Sequence, residues 1–163
     1  MTMSFDTFNA TNPAFTAITL HEFTKAYVET AGKGVDFPTL FLPIPIVLSD
    51  ALKETFTHTN KNTGFFEWLN RSPEVMLNLD DRLSSTVKIT QQAIRFGLQA
   101  KLIRIDDLGQ FRADMAGIKI KPSLSKYKII ANNLSRAKRL GHWVGGVYST
   151  STVFTTLRIA VEL

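Results

Sequence analysis

Apolar residues recur at helical spacing through Phe15, Ile18, Leu20, Phe23, Tyr27 and Val28, and Gly32 or Gly34 ends the run. Asn12-Pro13 supplies an N-cap and a proline for the first turn, so a helix is predicted from Pro13 to about Ala31. The most apolar stretch, 37–48, is interrupted by Pro38, Pro43 and Pro45. Each lacks a donor and disfavours α conformation in the residue before it. A short helical turn over 39–42 and an extended buried segment over 43–47 are therefore expected. Ser49 is placed as the cap of a short helix over 50–58. Thr63 or Gly64 opens another over 65–70, with Phe65, Trp68 and Leu69 as its apolar face.

The most patterned stretch follows. Ser72-Pro73-Glu74 reads as a start signal for a helix to about Ser85, and Thr90 as the N-cap of a second over 91–100. The inward set of the second is Ala93, Ile94, Gly97 and Leu98. A strand over 102–105, the turn Asp106-Asp107-Leu108-Gly109 and a second strand over 110–113 come next. Helix, turn, helix, hairpin is the order of a winged helix-turn-helix. Beyond Pro122, Ser123 or Ser125 caps a basic helix to about Val144, ended by Gly145-Gly146. Ser149 or Ser151 then caps a last helix over 152–157. The expected fold is mainly α with a small β-hairpin (α+β), one helical domain over 1–163 built around a winged-helix-like core. Residues 1–11 are read as an irregular segment and 74–114 as the winged-helix-like portion.

Composition bounds the function. A chain of 163 residues has the length of one domain and can bury a real core. It has no cysteine, which removes disulfides, thiolate catalysis and cysteine-ligated metals, and fits a reducing cytoplasm. No signal peptide is read at the amino terminus, and the apolar stretch is about half of the roughly 20 residues a membrane helix needs. No membrane partner is expected. Charge changes the picture more. Residues 1–81 hold five bases and ten acids, whereas 82–142 hold thirteen bases and three acids. Such a field steers the basic half towards an anion, either nucleic acid or an acidic protein face.

Catalytic readings fare poorly. His21, His58 and His142 share no metal-ligand spacing. His21 and Glu22 are helical neighbours that do not face each other, so His21 is read as structural or surface-exposed, and for His142 packing is favoured over catalysis. Asp80-Asp81 point two ways on a helix, and Asp106-Asp107 occupy a turn, where Asp bonds nearby backbone. Neither nucleotide-binding glycine motif is present. No catalytic residue, metal site or cofactor is expected, and the chain is read as not an enzyme.

Candidates for macromolecular contact come from the basic half. On the helix over 91–100 the outward residues are Gln91, Gln92, Arg95 and Gln99, side chains able to bond base edges. Arg104 and Arg112 on the hairpin could reach phosphates. Arg136, Lys138 and Arg139 form the one tight cluster of the later helix, followed by His142 and Trp143. Glutamine and arginine also populate any solvated helix face, so these residues fit a DNA-reading module and a protein-docking module alike.

In order along the chain stand Asn12-Pro13-Ala14-Phe15, Phe41-Leu42-Pro43 with Pro45, Val47 and Leu48, then Trp68-Leu69. Ala93-Ile94-Arg95-Phe96-Gly97-Leu98 leads into Leu102, and Leu140-Gly141-His142-Trp143 and Thr152-Val153-Phe154 follow. Together they cover about residues 12–157. The chain in this respect resembles the middle component of bacterial three-component ABC systems, encoded between an SMC/Rad50-like ABC ATPase and a variable third protein. It departs from that pattern at His142, Val144 and the close Leu157-Arg158-Ile159. The resemblance implies a non-enzymatic adaptor that couples the ATPase to a third-component effector in antiviral or anti-invader defence. It carries no established catalytic residues. Phe65, Trp68 and Trp143 are possible aromatic contacts, though such residues are more often core. The alternative is a winged-helix DNA-binding protein or transcriptional regulator, with nucleic acid as the partner of the basic half.

Overall fold

Asn12 starts the architecture as the sequence predicts. Its side-chain oxygen accepts from the backbone N–H of Ala14 and Phe15, at 3.1 and 3.4 Å. Helix α1 (Pro13–Ala31) follows, closed by Gly32 at φ 72. The computed structural model describes residues 12–115 and 128–160. The caps expected at Ser123 or Ser125, the base Lys126 and the segments 1–11 and 161–163 lie outside the described residues.

Most of α1 is buried, polar positions included: Thr16, Thr19, His21 and Thr24 are covered together with Leu20, Phe23 and Tyr27. Two of these buried hydroxyls are satisfied within the helix, whereas Thr24 Oγ1 is buried with no hydrogen-bond partner among the described residues. Thr16 donates to the Asn12 and Pro13 carbonyls and Thr19 to that of Phe15, a local solution open to short side chains.

The stretch after it departs from expectation. A 3-10 turn spans Phe37–Phe41, but 43–47 is not extended: Pro43–Val47 is a one-turn helix, α2, buried throughout. Prolines at its first and third positions remove donors that a helix start leaves unpaired anyway. Leu42, which precedes Pro43, sits in the α region at φ −79, ψ −42. Asp50–Phe56 is a 3-10 helix and Ser49 makes no side-chain cap bond to it. Helix α3 (Phe65–Arg71) buries Phe65, Trp68 and Leu69 as predicted.

The largest correction concerns 74–100. Pro73–Met76 makes only a 3-10 turn, and Asn78 turns the chain at φ 55. One unbroken helix, α4 (Leu79–Gln99), then replaces the two that were expected. Thr90 is buried inside it, not a cap. Leu79, Leu83, Thr90, Ala93, Ile94 and Gly97 form one buried stripe, and no glycine or proline lies between 79 and 96 to break it. Burial outweighs the modest helix propensity of Thr86-Val87 and Ile89-Thr90. No turn divides 79–99 into the two helices a winged helix requires.

The hairpin forms where predicted: β1 (Ile103–Ile105) and β2 (Phe111–Ala113) are antiparallel, with Arg104 opposite Arg112. Asp106 builds the turn by accepting from the backbone N–H of Leu108 and Gln110, at 2.9 and 3.0 Å. It is not a free-standing wing. The outer edge of β2 is paired with Val35 through two 2.8 Å bonds at Phe111.

Helix α5 (Lys128–Gly145) and helix α6 (Thr150–Leu157), capped by Ser149, complete the described fold. Helix α1 lies between α4 and α5. Ala17 faces Gly97 of α4, and His21 Nδ1 donates to the Leu102 carbonyl at 2.7 Å. Ala26 and Thr30, each nine residues later, face Gly141 and Gly146 at the end of α5. Nine residues are two and a half turns, so these contacts lie on opposite flanks of α1.

Candidate functional site

Two surfaces carry the candidate residues. On α4, Gln91, Gln92, Arg95 and Gln99 are all exposed, and their positions fall within about 100° of arc. Lys88 lies in the same arc and is exposed as well. The hairpin beyond α4 brings Arg104 and Arg112 directly opposite each other. Like charges in that relation repel. Arg112 is drawn aside: its Nε donates to Asp106 Oδ2 at 2.9 Å. The Arg112 guanidinium in turn holds the Asp106 carboxyl below the usual carboxylate range. Arg104 stays exposed, whereas Arg112 is committed to the turn.

The other surface lies along α5. A cleft of about 390 Å³ is lined by Lys138, Arg139, Ser135 and His142 of α5, by Thr59, Asn60 and Lys61, and by Glu29 at the end of α1. A second depression of about 160 Å³ shares Ser135 and Arg139 and adds Lys53, Phe56, Thr57, Asn132 and Arg136. Lys53 and Lys61, from the acidic half of the sequence, thus join bases of the basic half. The two halves of the sequence do not map onto two faces.

Arg139 builds this surface. Its Nη1 donates to the Phe56 carbonyl and to Thr59 Oγ1 at 2.9 and 2.8 Å, and its Nη2 to Ser135 Oγ at 3.2 Å. Its guanidinium carbon lies 6.0 Å from the centre of the Phe56 ring. Burial lowers its pKa, yet an arginine keeps its charge in any accessible range. Arg136 is half-buried and donates to the Asn133 side chain. Lys138 is exposed.

His142 packs less than expected. It is half-exposed at the cleft wall, and Nδ1 bonds Thr30 Oγ1 at 2.7 Å. Desolvation lowers its pKa, reinforced by Lys61 and Lys138 and opposed by Glu29. Neutral imidazole is therefore favoured near pH 7.

The aromatic candidates belong to the interior. Trp143 is buried, stacked on Phe56 at 5.5 Å and beside Trp68 at 5.1 Å, and its Nε1 donates to the Asn60 carbonyl. Trp68 and Phe65 are buried with it. These rings anchor the loop over 56–60 to α5.

Sequence reasoning missed one determinant, although its signal is plain: Gly141 and Gly145 stand four apart on α5. A Cβ on Gly141 would lie 2.3 Å from the Phe23 carbonyl oxygen, and one on Gly145 2.7 Å from that of Tyr27. The pair lets α5 lie backbone to backbone on α1, which fixes where the cationic face points. Among the described residues no group of three or more His, Asp or Glu could hold a metal ion. Among them also, no helix is long and apolar enough to cross a membrane.

The family described as ABC-three component (ABC-3C) system Middle Component 3 matches residues 4–161. No curated protein and no solved structure matches the chain.

Proposed function

Since the chain belongs to the Middle Component 3 family of ABC-three component systems, we propose that it is a non-catalytic adaptor. It joins the SMC-like ABC ATPase of its system to the variable effector, in defence against phage or other invading DNA. The observation that supports this reading best is the division of the polar and cationic candidates between two flanks of α1, with Lys88 and Arg95 as the exposed bases of one and Lys61 and Lys138 as those of the other. Gln91, Gln92, Arg95 and Gln99 face outward from α4, while Lys61, Lys138 and Arg139 gather along α5. A chain with two separate charged faces can hold two partners at once, which is what coupling requires. Electrostatic complementarity on such faces sets specificity and association rate more than raw affinity.

The test uses one charge reversal on each face. Arg95→Glu should weaken association with one system partner about tenfold and spare the other, and Lys138→Glu should do the reverse. Co-purification and binding curves with the ATPase and the effector read the result. Loss of both partners through one face, or of neither through either face, contradicts the adaptor. A DNA-binding regulator would behave differently, losing duplex affinity by about 10³–10⁵ between roughly 50 and 200 mM salt for about 6–10 phosphate contacts.

A further inference from the structure

We propose that the groove along α5 is a docking site for an acidic peptide segment that carries a basic residue at one end. This deepens the adaptor reading at its α5 face and rests on that reading only for which partner supplies the segment.

Its cations converge from separate parts of the chain: Lys61 from the loop before α3, Lys138 and Arg139 from α5, with Lys53 and Arg136 one depression further along. The two depressions share Ser135 and Arg139 as lining residues, so they lie side by side along the helix, with Arg139 crossing to Phe56 and Thr59. Among the described residues neither Lys61 nor Lys138 has an ion-pair partner, and both are exposed. Their charge is available to a ligand.

The walls are already built. Arg139 clamps the loop at Phe56 and Thr59, and Trp143 Nε1 holds the Asn60 carbonyl at 2.9 Å. A groove fixed before binding spares the ordering cost that weakens flexible sites. Neutral donors on the walls, Ser135 and Asn60, suit the main-chain carbonyls of an extended segment.

Peptide is favoured over nucleic acid for two reasons. Single strands need aromatic faces on which bases stack, and the rings beside this groove, Phe56 and Trp143, are 4% and 2% exposed. Glu29 also lines the same cleft as the cations. It repels an uninterrupted polyanion but pairs with a base at the end of an acidic run, so the groove selects a mixed sequence.

The experiment titrates the full isotope-labelled chain with a glutamate-rich peptide ending in lysines, and separately with an oligothymidylate of equal length, following amide shifts. The peptide should saturate and move the amides of 59–61 and 135–142. Combined Lys61→Glu and Lys138→Glu should weaken it at least about tenfold. Glu29→Lys should weaken the lysine-ended peptide and strengthen an all-glutamate one, and Arg95→Glu on the far flank should change neither. All these side chains are exposed, and unperturbed spectra elsewhere establish that each variant folds. The proposal is overturned if the oligothymidylate binds the same amides as tightly, if the peptide moves none of them, or if the reversals have no effect. A chain that binds the peptide here yet joins neither system partner keeps this site and loses the adaptor reading.

Discussion

Gly141→Ala should destabilise the protein by about 1–2 kcal/mol, read as a lower midpoint in urea unfolding. The added methyl would stand 2.3 Å from the Phe23 carbonyl oxygen and 2.9 Å from Ala26 Cβ. The first is backbone of a helix buried on nearly every side, so it cannot swing away. Overpacking of this kind costs about 1–3 kcal/mol and occasionally more, and opposing it alanine gains about 1 kcal/mol in helix propensity over glycine. The clash wins because the only relief is to push α5 off α1. Gly145→Ala, against the Tyr27 carbonyl at 2.7 Å, should behave alike. Gly146 is the control: a methyl there meets nothing closer than 3.5 Å, and its change to alanine should be close to neutral. Equal effects at 141 and 146 would contradict backbone contact as the cause.

Trp143→Ala should cost about 3–5 kcal/mol, the range for deleting a buried aromatic side chain. The indole fills the space between Phe56 and Trp68 and holds the Asn60 carbonyl. Losing it removes packing and leaves that carbonyl without its donor. Trp143→Phe keeps most of the packing and should cost much less, the lost hydrogen bond contributing about 1 kcal/mol. Calorimetry or urea unfolding of both variants measures the difference. A Trp143→Ala chain as stable as the parent that nevertheless lost a partner would return Trp143 to the interface.

Much of this fold is legible in the chain, and the reasons differ from element to element. Asn12-Pro13 and Ser149 were readable because caps are chemistry local to a few residues. The hairpin was readable because Gly109 and Asp106 suit the turn they build. Helix α2 runs against its sequence signal because proline breaks a helix interior yet suits a first turn. Helix α4 was divided in two because Ser72-Pro73 and Thr90 each resemble a start, whereas the buried stripe from Leu79 to Gly97 is a tertiary property. With that division went the helix-turn-helix order.

The surface was less legible. The sorting of charge along the sequence does not translate into one folded face: α1 separates Arg95 from Lys138, and Lys53 and Lys61 cross from the acidic half into the depressions along α5. Arg112 and Arg139 look alike in sequence to the exposed bases. Only the packed chain shows them tied to Asp106 and to the loop over 56–59. Gly145-Gly146 reads in sequence as a helix end, whereas Gly141 and Gly145 seat α5 on the backbone of α1.

Native mass spectrometry of the purified chain mixed with the ATPase and the effector of its own system bears most directly on the adaptor. Two independent faces on opposite flanks of α1 predict one complex that contains all three proteins, and a mixture without this chain should not form it. If the ATPase and the effector instead displace one another from the chain, they share a single surface and the account is contradicted.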